Sequence, residues 1–154
     1  MKKKVYAVAI LIPLIVGGIS ALITRSAMME YVDNVAKPSF APPALVFPIA
    51  WSILYVLMGI SSGMVYLSES DDKREALTVY AVQLAVNFLW SIIFFNLELR
   101  LFAFWWLLLL LALVLVMTWR FYKIKKWAGY LNIPYIAWLI FAAVLNYSIW
   151  MLNR

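Results

Sequence analysis

Residues 101–122 read LFAFWWLLLLLALVLVMTWRFY, with Arg120 as the only charge and that close to the end. A hydrocarbon core is spanned by about 20 mainly apolar residues in a helix, and this stretch has that length and character. Leu107–Leu111 is an unbroken apolar run, whereas a barrel strand alternates and turns about every ten residues. Four more stretches of the same kind lie at 5–24, 44–67, 76–96 and 131–152. The sequence therefore predicts an all-α integral membrane protein, a five-transmembrane-helix bundle forming a single domain over residues 1–154. Its longest connection is 25–43. Composition leaves no room for a soluble alternative, with 67% hydrophobic residues, 13% charged residues and a mean hydropathy of +0.93.

Lysine and arginine collect in cytoplasmic loops. Lys2, Lys3, Lys4, Lys73, Arg74, Arg120, Lys123, Lys125 and Lys126 fall on the N-terminal side of the spans, nine of the thirteen basic residues. Arg25, Lys37, Arg100 and Arg154 fall on the other. The N-terminus is thus expected inside and the C-terminus outside. A net charge of +6 follows from this anchoring, and no exposed face interleaves basic and aromatic residues as a nucleic-acid site would. The first apolar run is longer than a signal peptide's core and reads as a retained helix.

The chain has no His and no Cys. The usual ligands of zinc, copper and iron–sulfur sites are missing, as are Cys nucleophiles and His-activated Ser, so neither metal nor cofactor is expected. Glu30, Asp33, Glu69, Asp71, Asp72, Glu75 and Glu98 all fall in loops or at helix ends. Coupled transporters place an ionisable group at mid-membrane depth, and this sequence offers none. A bundle that binds something neutral, or flat and aromatic, fits better.

Residues three, four, seven or eight apart share a helix face, and three spans show such stripes. Trp51, Tyr55, Gly59 and Ser62 form one; Gln83, Asn87, Trp90, Ser91 and Phe94 a second; Trp138, Ala142, Leu145 and Asn146 a third. Buried amides need partners in hydrocarbon. One reading is that they cross-link helices, each contributing roughly 0.6–2 kcal/mol. The other is a pocket, mostly apolar and aromatic with a few placed polar groups, and stripes on three helices favour it. Gly59 and Gly63 form a small-xxx-small pattern that lets helices approach closely, within the chain or between copies. Trp105, Trp106, Trp119, Trp127 and Trp150 near span ends read as interfacial anchors.

The 25–43 connection contains Lys37-Pro38-Ser39-Phe40-Ala41-Pro42-Pro43, where three prolines fix φ and restrict their neighbours. Long ordered loops often serve as lids. Pro42 and Pro43 also suit the first turn of the next helix.

That segment, with Trp51, Tyr55 and Met58-Gly59, then Gln83-Leu84-Ala85-Val86-Asn87-Phe88-Leu89-Trp90 and Ile93-Phe94-Phe95, resembles the TspO/MBR family, the tryptophan-rich sensory or translocator proteins, also called peripheral-type benzodiazepine receptors. The strongest block is Pro134-Tyr135-Ile136-Ala137-Trp138-Leu139, followed by Phe141-Ala142, Leu145-Asn146-Tyr147 and Trp150. The blocks stand in order from the second span to the C-terminus.

The resemblance implies a five-helix bundle, commonly a homodimer, that binds porphyrins such as protoporphyrin IX and benzodiazepine- or isoquinoline-type ligands beneath the first loop. It implies Pro42, Trp51, Asn87, Trp90, Trp138 and Ala142 as ligand-binding positions, and the stripes add Tyr55, Leu145 and Asn146. Ala142, one turn above Trp138, would leave room for a flat ring. Two positions depart from the family pattern. Phe40 stands where Trp often precedes the prolines, so the indole donor is missing. Met151 occupies the place where a sterol motif after Tyr147 wants a basic residue, and Arg154 comes one position too late, which counts against cholesterol as a partner.

Three functions follow from the resemblance. The first is binding or sensing of a porphyrin or other flat hydrophobic molecule. The second is light- and oxygen-dependent porphyrin degradation with Trp51 and Trp138 as the catalytic candidates. The third is transport of the ligand across or along the membrane. A bacterial plasma membrane is the expected location, with the mitochondrial outer membrane as the alternative.

Overall fold

The computed structural model describes all of residues 1–154. Helix α1 spans Lys2–Asn34, α2 Val46–Tyr66 and α3 Lys73–Ser91, the last continuing through a π-helical turn at Ile92–Asn96. Then come α4 at Arg100–Ile124, a short α5 at Lys126–Tyr130 and α6 at Ile133–Asn153. Five helical segments are long and apolar enough to cross a membrane, and there is no strand. In the fifth, Lys125 takes an extended conformation that separates α4 from α5. The pair α5 and α6 then forms one near-continuous span, with Pro134 in the first turn of α6, where its missing N–H costs nothing.

The connection expected at 25–43 is shorter in the structure. Helix α1 runs on to Asn34, so the segment outside helices is 35–45. Arg25, Glu30 and Asp33 suggested a loop, but nothing between Gly18 and Pro38 breaks a helix. Tyr31 gives the extension a buried anchor, packing edge-on against Phe94 and Phe95 at centroid distances of 5.7 and 5.3 Å.

Small residues set the α1/α2 contact. A side chain at Gly59 would strike the backbone of Ile10, and one at Gly63 would lie 2.8 Å from the Tyr6 ring. The small-xxx-small stripe is therefore used inside the chain, where close backbone approach brings the dispersion contacts that hold helices together in lipid. Helix α4 packs between α3 and α6 and supplies the central buried column of Leu107, Leu110, Val114, Met117 and Phe121. Helices α2 and α6 instead meet through aromatic rings, without the close backbone approach of α1 on α2.

The segment 35–45 is tied down as a strap along α6. Asn153 grips it: the Ala36 N–H donates to Asn153 Oδ1 at 3.0 Å, and Asn153 Nδ2 donates to the Ala36 carbonyl at 2.8 Å. Lys37 Nζ donates to the Val32 and Val35 carbonyls at 3.0 and 2.8 Å, neutralising the C-terminal end of α1. Farther along, Phe40 lies edge-on to Phe141, and Phe47 at the start of α2 lies edge-on to Trp138. The strap thus follows α6 from Asn153 back to Trp138, about 22 Å at the helical rise.

Candidate functional site

A cavity of about 500 Å³ lies between α1, α2, α6 and the end of α3, with the strap reaching it at Ala44, and its size is within the range of small-molecule sites. Its α1 wall runs from Leu14 to Tyr31, roughly 25 Å of helix. Gly17 is small there because Tyr55 needs the room, since a Cβ on it would collide with that ring, whereas a Cβ on Gly18 would meet nothing within 4 Å. Helix α2 contributes Phe47, Pro48, Trp51, Ser52 and Tyr55; the end of α3 contributes Trp90, Ser91, Phe94 and Phe95; α6 contributes Trp138, Ala142, Leu145, Asn146 and Ile149.

The aromatic rings form a connected wall. Trp51 stacks on Tyr55 with centroids 5.6 Å apart and meets Trp138 edge-on at 6.4 Å. Trp138 touches Phe47 and Phe141 as well, at 5.9 and 5.5 Å. Its indole N–H is buried without an acceptor, so ring contacts alone orient it. On the far side Trp90 stacks on Phe94 at 5.2 Å. Trp90 Nε1 donates to Asn146 Oδ1 at 3.2 Å, and Asn146 Nδ2 donates to the Arg100 carbonyl at 2.9 Å. The π-helical turn helps here, because its extra residue per turn lets Ile93, Phe94 and Phe95 all be buried.

Of the residues expected at the site, Trp51, Tyr55, Trp90, Trp138, Ala142, Leu145 and Asn146 all line this cavity. Asn87 and Pro42 do not. Asn87 is 3% exposed and both ends of its amide are committed: Tyr55 Oη donates to its Oδ1 at 3.1 Å, and its Nδ2 donates to Tyr135 Oη at 2.7 Å. Tyr135 in turn donates to Gln83 Oε1 at 2.7 Å. The amide stripe of α3 is thus a cross-link behind the cavity, and Asn87 acts on the wall by fixing Tyr55, on which Trp51 stacks. Pro42 lies outside, in a shallow apolar depression with Val46, Pro134, Ala137, Trp138 and Phe141. Trp138 is the one residue common to both spaces.

The sequence reading missed the whole α1 wall. The available signal was the cluster of small residues Gly17, Gly18, Ser20, Ala21 and Thr24, which gives one face of an apolar helix room for a neighbour. Trp106 was expected as an interfacial anchor, yet its Nε1 donates to the Val86 carbonyl at 2.8 Å, clamping α4 to α3. No group of His, Cys, Asp or Glu is placed to hold a metal ion. Arg25 is the only charged residue in the cavity wall.

The profile of the TspO/MBR family matches residues 9–151. The chain is 36% identical over 124 residues to the tryptophan-rich sensory protein of Cereibacter sphaeroides, covering 80% of this chain and 77% of that one. It is 40% identical over 126 residues to protein CrtK of Rhodobacter capsulatus, covering 80% and 78%. It is 32% identical over 147 residues to the translocator protein of Bos taurus, covering 94% and 87%. With five apolar spans and a match over nearly its full length, the chain belongs to the TspO/MBR family of multi-pass integral membrane proteins.

Proposed function

We propose that the protein is a membrane receptor or sensor that binds a flat hydrophobic molecule, of the porphyrin or benzodiazepine and isoquinoline type, in this cavity. Family membership supports a sensory or receptor role. The observation that carries the ligand class is the wall itself, where Trp51, Trp90 and Trp138 face a space bounded by glycines and Ala142. Large rings leave a flat apolar ligand many contacts, and small residues give it thickness. The Lys-rich end and the positive-inside rule support an orientation with the N-terminus in the cytoplasm, and the proposed location is a bacterial plasma membrane.

A dark equilibrium titration with metal-free protoporphyrin IX tests the reading. Ala142 is 8% exposed and lines the cavity, whereas Ala137 on the same helix lines only the outer depression. Ala142→Leu is expected to weaken binding at least tenfold, and Ala137→Leu to leave it within twofold. Equal affinity for both variants would place the porphyrin elsewhere.

A second reading, light- and oxygen-dependent loss of bound porphyrin, is supported by the edge-on Trp51 and Trp138 pair at the cavity, which would stand in contact with the pigment. Under illumination in air, Trp51→Phe and Trp138→Phe would then bleach the bound pigment more slowly than the parent protein. Unchanged bleaching rates at equal occupancy would remove this reading.

A further inference from the structure

The cavity wall is mostly apolar and carries a single charge. Arg25, two turns beyond Gly18 on the same helix, enters it, with Met28, Met29 and Tyr31 lining it farther toward the strap. No carboxylate answers this charge. The protein has one ion pair, Arg120 with Glu75, at the opposite end of the bundle, and Glu30, Asp33 and Glu98 all lie beyond pairing distance of Arg25. A second cation stands behind the same part of the wall. The Arg100 guanidinium lies 5.3 Å from the ring centre of Phe94, itself a lining residue, and its Nε is buried with no partner.

Most polar groups in the wall are already committed. Thr24 Oγ1 donates to the Ser20 carbonyl, Ser52 Oγ to the Pro48 carbonyl, Tyr55 to Asn87 and Trp90 to Asn146. What is left to meet a polar group on a ligand includes the unpaired Trp138 indole N–H and one charge, that of Arg25. An arginine fork pairs best with a planar anion such as a carboxylate, and Arg25, although exposed, presents that fork to the cavity.

We propose that Arg25 is a specificity residue selecting ligands whose apolar ring system carries a carboxylate, and that it orients them with the acid toward the strap and the rings toward Trp51 and Trp138. This deepens the reading of the cavity as a ligand site and rests on it. A neutral ligand can use the rings but gains nothing from Arg25. The ordinary alternative is that Arg25 merely snorkels to the membrane surface, in which case ligand charge is irrelevant to it.

The test is a two-by-two cycle on folded protein in one non-ionic detergent. Metal-free protoporphyrin IX, a diacid, and its dimethyl ester are titrated in the dark into the parent protein and Arg25→Gln, with Arg25→Lys and Ala142→Leu alongside. The ester measures whether the cavity survives each substitution. The inference predicts that Arg25→Gln weakens the diacid roughly five- to tenfold, leaves the ester within twofold, and that Arg25→Lys recovers part of the loss. Equal effects of Arg25→Gln on both ligands, including no effect on either, would overturn it while leaving the cavity reading intact. If instead Ala142→Leu spares both ligands, or neither saturates the parent protein, the cavity reading fails and this inference fails with it.

Discussion

Trp51 on α2 meets Trp138 on α6 edge-on, with centroids 6.4 Å apart and planes at 85°, and with the Phe47–Trp138 and Trp51–Tyr135 contacts it joins the two helices through aromatic rings. The positive edge of one ring on the negative face of the other is a favoured geometry, contributing about 0.5–1.5 kcal/mol beyond burial. The same rings face the cavity. A ligand between them would therefore act on the contact that sets the α2/α6 separation, and several predictions concern how that wall is held.

The Asn87 amide fixes Tyr55 and Tyr135. In Asn87→Ala both hydroxyls lose a partner in a site closed to water, and an unsatisfied buried polar group costs about 1–3 kcal/mol. Unfolding in a denaturing detergent is expected to occur earlier by that amount, with porphyrin affinity falling as Tyr55 and Trp51 loosen. A variant as stable as the parent would show that the network contributes nothing net.

At Gly59 any side chain meets the Ile10 backbone, whereas Gly18 faces open space. Backbone cannot rotate away, so Gly59→Ala is expected to part α1 from α2 and destabilise by about 2 kcal/mol or more. Gly18→Ala should be neutral or stabilise by up to about 1 kcal/mol through helix propensity. Paired thermal melts of the two variants decide the matter, and a reversed order would contradict the described packing.

Asn153 holds the strap by two hydrogen bonds to Ala36. Removing them in Asn153→Ala should raise the hydrogen-exchange rate of the Ala36 amide about tenfold or more, and raise ligand association and dissociation rates together. Protection at Ala36 identical to the parent would mean that Lys37 and Phe40 hold the strap unaided.

Trp106 and Trp105 are neighbours with different roles. Trp106 donates to the Val86 carbonyl and is partly buried, whereas Trp105 is 61% exposed. Trp106→Phe should cost about 1 kcal/mol and Trp105→Phe less than about 0.5 kcal/mol, readable as a difference in unfolding midpoint. Equal shifts would return Trp106 to the class of interfacial anchors.

How much of this was legible in the sequence depends on how local the cause is. Trp138, Ala142, Leu145 and Asn146 line the cavity and share a face because of helical spacing alone, which sequence displays directly. Asn87 lies on an equally clear stripe, yet what its amide meets depends on how α3 is set against α2 and α6. No single-helix pattern carries that register. The extension of α1 was hidden for a related reason: Arg25, Glu30 and Asp33 report contact with water, which a helix continuing beyond the bilayer makes as readily as a loop. The π-helical turn at Ile92–Asn96 has no proline or glycine to announce it. It became visible only through the joint burial of Ile93, Phe94 and Phe95.

The most direct test of the central claim is a crystal structure of the protein with metal-free protoporphyrin IX, grown in lipid and kept dark. The account predicts ring density inside the cavity, against Trp51, Trp138 and Ala142. Density confined to the depression between Pro42 and Pro134, or to the outer surface of the bundle, would contradict it.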